Sequence, residues 1–599
     1  MGFFAKLFPS GDASGGGGPA VHADTEASDS EPYIIRDGDL AYTRVKGGNG
    51  SKPSYQEAVG APVESDSPLG YHVNWIAIIF LNINMMVGTG VFSTPASILN
   101  RTGSIGLALM YWVIGFLMAS AGFSVYLELA SYFPNRSGSE VVYLEQAYPR
   151  PRHFFPVAFA VQSVILSFSS SNAVVLSRYL WRMANITPSE WQMRGVAIAA
   201  YTLAVICVIA HNRYSLWLVN FIGVLKILTL VFNGNDLSSA LVSIVFSYAG
   251  YYNAFNMTNE IRDPVPTLRR NGAVSLLVVA VLYMLCNVAY FAAVPKAEFA
   301  GASEIAAAVF FSKLFGASRA AANVLNFLVL LSAFGNLLAV LIGSSRMIRE
   351  IGRCTPVHQL LGIDQALRDP SGPVPAQVDH DLHHDRRAAR RRRLLLRYAP
   401  DSSPHSTTYD TFLTSFTNTR ARRPAPPPPV VDLGTYPTAM FNMAMTLGVF
   451  VLRRRRRRSG IGRSEFRAWD LVVVFFLAVQ VFVLAMPWWP PKGGPYAGSV
   501  SFWYATYCVV GIGIILLCVI YYIAWMYVFP RWLGYEIRTE VVDVDGNGAN
   551  THRLVRVPKA DVAQWDEEHD EAGNLRRRRH AITTTTAELE SSNSNEKVL

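Results

Sequence analysis

"MMVGTGVFSTPASIL", Met85 to Leu99, lies inside an apolar run and sets two glycines, Gly88 and Gly90, on either side of Thr89. Glycine costs roughly 1 kcal/mol against alanine in a helix interior, so a pair at mid-span is a liability unless the helix is meant to break there. About fourteen residues of the run precede Gly88 and about nine follow Gly90. At 1.5 Å per residue these halves measure roughly 21 and 14 Å, together about one hydrocarbon thickness. Glycines two apart do not share a helix face, which argues against a small-xxx-small packing seam. Backbone unwound at that depth is tolerated only where it lines a cavity. It offers free N–H groups at the start of one half and free C=O groups at the end of the other. That arrangement suits a zwitterion, with carboxylate on the amides and ammonium on the carbonyls.

The whole chain fits that reading. It has 599 residues, 51% of them hydrophobic and 16% charged, with a mean hydropathy of +0.22. This composition points to an all-α polytopic membrane protein. Apolar runs long enough to span occur at about 74–99, 105–130, 154–181, 195–211, 216–232, 237–258, 272–294, 320–343, 430–452, 469–489 and 501–529, eleven spans in all. No signal peptide core is found at the N-terminus, so the first span is expected to start insertion itself. Arg136, Arg150 and Arg152 follow the second span, Arg262, Arg269 and Arg270 the sixth, and Arg346, Arg349 and Arg353 the eighth. By the positive-inside rule these loops, and with them both tails, are expected to be cytosolic.

The formal charge of +10 is local. Arg386 to Arg458 holds sixteen Arg, no Lys and three Asp, which exceeds the excess of the whole chain and leaves the remainder slightly acidic. A basic loop of this kind does not imply a nucleic-acid partner. None of the five cysteines forms a CxxC pair, and "HDLHHD" (His380 to Asp385) lacks partner ligands at usable spacing, so no metal site is expected.

The domains expected are a disordered cytosolic N-terminal tail (1–70), spans one to eight (71–353), an Arg/Pro-rich low-complexity segment (354–429), the last three spans (430–529) and a cytosolic C-terminal tail (530–599). The 354–429 segment is anomalous. Arg346 to Arg353 and the block Arg453 to Arg458 should both be cytosolic, yet one apolar run alone, Val430 to Leu452, separates them. Misread exon boundaries or a frameshift replacing a ninth span would account for this. The fifth span's abrupt end at Asn233-Gly-Asn-Asp points to a second, smaller loss.

Broken helices in inverted-repeat transporters come in corresponding pairs. Five spans after the first, "VFSYAGYYNAFNMTNEIRDPVPTLRRN" (Val245 to Asn271) interrupts an aromatic run with Ala249-Gly250 and follows it with Asn253, Asn256, Thr258, Asn259 and Glu260. A fully helical span would leave many of these polar groups uncompensated.

The two broken stretches, with "VVDLGTYPTAMFNMAMTLGVFVLRRRR" (Val430 to Arg456), resemble the L-type branch of the amino acid–polyamine–organocation superfamily, and within it the fungal high-affinity methionine permeases. The resemblance implies a leucine-transporter-type five-plus-five inverted repeat with twelve spans and secondary active transport of a neutral amino acid such as methionine. It implies that Gly88, Thr89 and Gly90 hold the substrate carboxylate, that Phe246 is an aromatic gate, and that Ala249 and Gly250 form the unwound turn. The family often has glycine where Ala249 stands. In sodium-independent members, a lysine placed like Lys226 replaces the sodium ion that braces the first and eighth spans. Ubiquitin-ligase adaptors are implied as partners of the tails, at Lys6, Lys46 and Lys52 or at Lys559 and Lys597.

The residues alone also single out Lys226, a charge deep inside "FIGVLKILTLVF", since intramembrane charges mark function; snorkelling is the alternative. "SFSSSN" (Ser167 to Asn172), Ser332 and Asn336 read as packing hydroxyls and amides. Glu128, Glu140 and Glu145 read as partners of Arg136 or Arg150. The expected function is a plasma-membrane importer working by alternating access, proton-coupled, with no covalent chemistry and no cofactor. Its rivals are a sodium-independent exchanger and a transport-inactive nutrient receptor.

Overall fold

The structure is a computed structural model that describes residues 33–37, 40–45, 54–57, 67, 70–88, 95, 98–99, 102–166, 170–186, 188–210, 212–230, 247–294, 319–354, 430–488, 503, 505–543, 550–569, 573 and 575. The first span opens with α1 (Trp75–Met86), capped by the Asn74 side chain, which accepts from Ala77 N at 2.9 Å. Then come α2 (Ile105–Tyr132), a short α3 (Glu140–Ala147), α4 (Phe154–Leu166), α5 (Ser170–Ala184), α6 (Glu190–Ala210) and α7 (Asn212–Leu230). A 3-10 segment (Asn253–Glu260) leads into α8 (Pro264–Ala293), with Pro264 at the first helical position. The remaining long helices are α9 (Arg319–Cys354), α10 (Val430–Arg458), α11 (Asp470–Ala485) and α12 (Thr506–Ile523).

Among the described residues, six helical stretches are long and apolar enough to cross a membrane: Ile105–Tyr132, Trp191–Val208, Pro264–Ala293, Ala322–Gly352, Asp470–Trp488 and Cys508–Leu533. α1 is shorter, as a half-span should be. α1, α2, α8 and the 3-10 segment pack as one group, α5, α6, α7 and α9 as another, and α10 lies against α11, α12 and α3. α1 joins the first two groups, touching both α7 and α9. Close approach depends on small residues: a side chain at Gly223 would strike the Phe80 ring, and one at Gly272 the Phe123 ring. Outward-facing positions such as Met110, Ile198, Leu285 and Ile520 are apolar and exposed, as a lipid-facing surface requires.

The arginine-rich end of the helices is held by buried ion pairs. Glu128 at the end of α2 receives Arg453 of α10 at 2.6 and 2.7 Å and also accepts from Tyr132 and from Ala468 N. Arg136 bridges Glu145 of α3 and Glu350 of α9, and Arg346 of α9 pairs with Glu260 at 2.8 Å. Removing one partner of such a pair leaves an uncompensated buried charge, at about 3–5 kcal/mol. Of the three glutamates expected to pair with Arg136 or Arg150, Glu145 alone does so in these contacts. Glu128 goes to Arg453, and Glu140 to the hydroxyls of Tyr126 and Ser139. Burial pushes the Glu140 carboxyl above the usual carboxylate range, against the pull of those two hydroxyls.

The tails are more ordered than their composition suggests. Within the segment expected to be disordered, β1 (Tyr33–Asp37), β2 (Leu40–Val45) and β3 (Ser54–Glu57) form an antiparallel sheet in the order β1-β2-β3. Short alternating stretches such as "LAYTRV" are outweighed, over a 70-residue window, by flanking Gly, Ser and acidic residues. After α12 the chain passes through a π-helical turn (Ala524–Val528) and α13 (Phe529–Leu533) into the antiparallel hairpin β4 (Tyr535–Asp543) and β5 (Asn550–Pro558), then α14 (Val562–Glu568).

Candidate functional site

α1 stops at Met86, and Val87 leaves helical geometry at φ −83°, ψ 81°. The last carbonyls of a helix have no partner within it, and here they are satisfied by side chains from three neighbouring helices. Lys226 of α7 donates its ammonium to Val87 O at 2.6 Å and Asn84 O at 3.0 Å. Asn336 of α9 donates to Met85 O at 2.6 Å and Asn84 O at 3.1 Å. Ser332, one turn away on the same face of α9, donates to Gly88 O at 3.0 Å, with Val87 O at 3.3 Å. The Tyr283 hydroxyl of α8 lies 2.9 Å from both Met86 O and Ser247 O and shares one proton between the two broken spans. Behind Asn336 stands Asn172 of α5, which donates to its side-chain oxygen at 2.8 Å and fixes the amide's orientation.

Lys226 is 2% exposed, and among the described residues it has no carboxylate partner. Its charge is offset by the carbonyl end of α1, where the helix dipole favours a cation. It sits between α1 and α9, since a side chain at Gly335 of α9 would come within 3.1 Å of its Cε.

The second break faces the first. After the helical Ser247 and Tyr248, Ala249 and Gly250 turn, with Gly250 at φ +129°. A Cβ there would lie 2.8 Å from Met86 N and 2.9 Å from Met85 C, backbone atoms that cannot swing aside. Beyond the turn, Asn82 of α1 accepts from Ala254 N at 3.0 Å, and Asn253 donates to Ala339 O of α9 at 3.0 Å. Asn82 therefore satisfies a backbone amide beyond the break, and Asn253 ties the segment after Gly250 to α9. Gly250→Ala is expected to cost at least 1–3 kcal/mol in strain alone and to remove most uptake. Surface amount and uptake of a tagged variant, measured together, check it, and near-normal values in both would contradict the close approach.

Of the sequence-predicted residues, the structure brings Gly88, Lys226, Ala249 and Gly250 together; Thr89, Gly90 and Phe246 lie outside the described residues. Asn172, Ser332 and Asn336, read from sequence as packing groups, instead contact the break directly or at one remove. Nothing in the sequence marks Tyr283, one aromatic among many in an apolar helix. An Asn or Ser in an apolar helix has the same appearance whether it bonds its own backbone or a neighbour's, and only the position of α1 decides between them. Among the described residues no group of three or more His, Cys, Asp or Glu is placed to hold a metal ion. "HDLHHD" lies outside them.

The sequence profile of the family described as "Amino acid permease" matches residues 73–234, 232–354 and 429–517, more than half of the chain. The high-affinity methionine permease of Saccharomyces cerevisiae is 28% identical over 514 residues, 79% of this chain and 82% of that protein. The low-affinity methionine permease of the same yeast is also 28% identical, over 47% of this chain and 58% of its own length. The large neutral amino acids transporter small subunit 2 of Mus musculus is 26% identical, over 47% of this chain and 60% of its own. Among solved structures, a manganese transporter of Eremococcus coleocola aligns with 79% of this chain and 98% of its own at 12% identity, with a TM-score of 0.36.

Proposed function

The chain belongs to the amino acid permease family, and from that premise we propose that it imports neutral amino acids, methionine foremost, across the plasma membrane by proton-coupled alternating access. That it is a multi-pass membrane protein carrying amino acids follows from the family. Substrate, coupling and membrane are the proposal. Its main support is the meeting of two broken spans, with the carbonyls of Asn84 to Gly88 held by side chains from three other helices. The carbonyl end is already occupied, which in this reading leaves the substrate carboxylate to the amide side.

Gly88, Thr89 and Gly90 are then the backbone that receives the substrate carboxylate, close approach being available where no side chain intervenes. Phe246 closes over the bound side chain, and Ala249 and Gly250 supply the turn opposite. Lys226 takes the place of a bound sodium ion between the first and eighth spans and is the titratable group available for coupling. Methionine is favoured because two of the relatives are methionine permeases. The arginine-rich face is taken as cytosolic, which puts both tails, and lysines open to ubiquitin-ligase adaptors, on that side.

The test is uptake of labelled methionine by permease-deficient cells at two pH values, with sodium present or replaced by choline. Accumulation that is faster at the lower external pH and indifferent to sodium is expected. Binding without accumulation would mark a nutrient receptor. Accumulation that requires a preloaded amino acid and ignores pH would mark an exchanger.

A further inference from the structure

α10 runs beyond the apolar span and ends in six consecutive arginines, Arg453 to Arg458, which divide into two sets. Three turn inward. Arg453 pairs with Glu128, Arg455 donates to Gln146 O and Ala147 O at 2.8 and 3.2 Å, and Arg456 lies over the rings of Tyr132 and Tyr55 at 4.6 and 5.8 Å. The other three, Arg454, Arg457 and Arg458, are exposed, and no carboxylate among the described residues pairs with them. At 100° per residue these three occupy one arc of about 100° on the helix surface, and the inward set fills the rest.

The same arc, followed back along α10, carries Met443, Leu447 and Phe450. Leu447 is 41% exposed, and the other two are half-buried. This is the lipid-facing stripe of the helix, and Arg454 lies on it about 10 Å past Leu447. The membrane boundary at this end is marked by Trp469, 50% exposed at the start of α11, with Leu471 beside it 77% exposed. Arg453 reaches Ala468 O at 2.7 Å, which puts the beginning of the arginine turn level with that tryptophan. The three free guanidiniums therefore emerge from the hydrocarbon at headgroup depth, on the side that faces lipid.

We propose that Arg454, Arg457 and Arg458 form a binding surface for the phosphate groups of anionic phospholipids. Charge complementarity and continuity with the lipid-facing stripe specify the partner: a planar guanidinium binds phosphate oxygens in pairs, and three on one arc suit a negatively charged leaflet. Inward pairing of the other three holds α10 in register, so lipid bound here bears on the helix that closes the arginine-rich end through Glu128.

The experiment uses the purified full chain in nanodiscs of phosphatidylcholine alone or with phosphatidylserine, read by lipid adducts in native mass spectrometry and by melting temperature. Wild type is expected to retain phosphatidylserine selectively and to melt higher in its presence, an effect that weakens as salt rises. With each basic residue near an anionic surface worth about fivefold, the triple variant Arg454→Gln, Arg457→Gln, Arg458→Gln should retain it roughly a hundredfold less well. The corresponding triple Lys variant, which keeps the charge, should lose far less. Inorganic phosphate added to phosphatidylcholine nanodiscs should leave the melting temperature unchanged. Equal retention by wild type and the Gln variant, or an equal rise with free phosphate, overturns the assignment. Both leaflets of a nanodisc carry the lipid, so the outcome does not depend on substrate, coupling or orientation.

Discussion

Cells carrying Lys226→Met are expected to take up labelled methionine no faster than cells lacking the protein, whereas wild-type uptake should be unchanged when choline replaces sodium. Methionine approximates the length of the lysine stem and keeps the packing between α1 and α9, so the change removes little besides the ammonium. Among the described residues, Val87 O then keeps Ser332, at 3.3 Å, and Asn84 O keeps Asn336, at 3.1 Å. Each weakened buried acceptor costs about 1–3 kcal/mol, and the loss falls where α1 must hold its unwound end. A tethered ammonium at this position braces the break without having to be bound from solution, which is why no sodium dependence is expected. Surface labelling of the variant separates lost transport from lost folding. Wild-type uptake that collapses without sodium, or normal uptake by the variant at normal surface amount, would overturn the role given to Lys226.

How much of this site was legible in sequence depended on whether a residue violated its local context. Gly88 and Gly250 interrupt apolar runs that ought to be helical, and Lys226 is a charge where none belongs. Each contradicts its surroundings, so each could be found without coordinates. The donors that hold the break do not stand out. Ser332 and Asn336 are tolerable in any membrane helix, and Tyr283 is one aromatic among many. What makes them part of the site is that α8 and α9 pass the end of α1. Pairing at the arginine-rich end was opaque for a related reason: Glu128 and Arg453 are 325 residues apart, and charge alone gave nearer arginines an equal claim. The β1–β3 sheet escaped because its strands are four to six residues long within a tail of disorder-like composition.

Sequencing the transcript across Cys354 to Val430 is expected to reveal a frame with about twenty consecutive apolar residues, and that frame is the wild type for the uptake measurements above; a chain carrying the segment as written is expected to transport no better than background. The charge rule implies an even number of crossings between Arg353 and Arg453, and side-chain contacts support the same reading independently of charge. Glu350, near the end of α9, bonds Arg136 in the connection after α2, and Arg453, near the end of α10, bonds Glu128 in the last turns of α2. Both helices therefore finish at one face. α10 begins at the other, where Tyr436 accepts a hydrogen bond from Trp488 at the far end of α11 at 2.9 Å. The end of α9 and the start of α10 thus lie at opposite faces, and residues 355–429 contain no apolar run able to span a bilayer. The family profile leaves out nearly the same stretch, ending at residue 354 and resuming at 429. Its first two matched stretches also meet at 232–234, where the fifth span ends abruptly. A genuine insertion would leave the arginine block of α10 on the far face or force the Val430 run into a re-entrant hairpin, and the Glu128–Arg453 pair argues against the first. We therefore propose misread exon boundaries at both places, the larger one replacing a ninth span. A transcript that matches residues 355–429 as written, in a protein that reaches the surface and accumulates methionine, would refute the missing span.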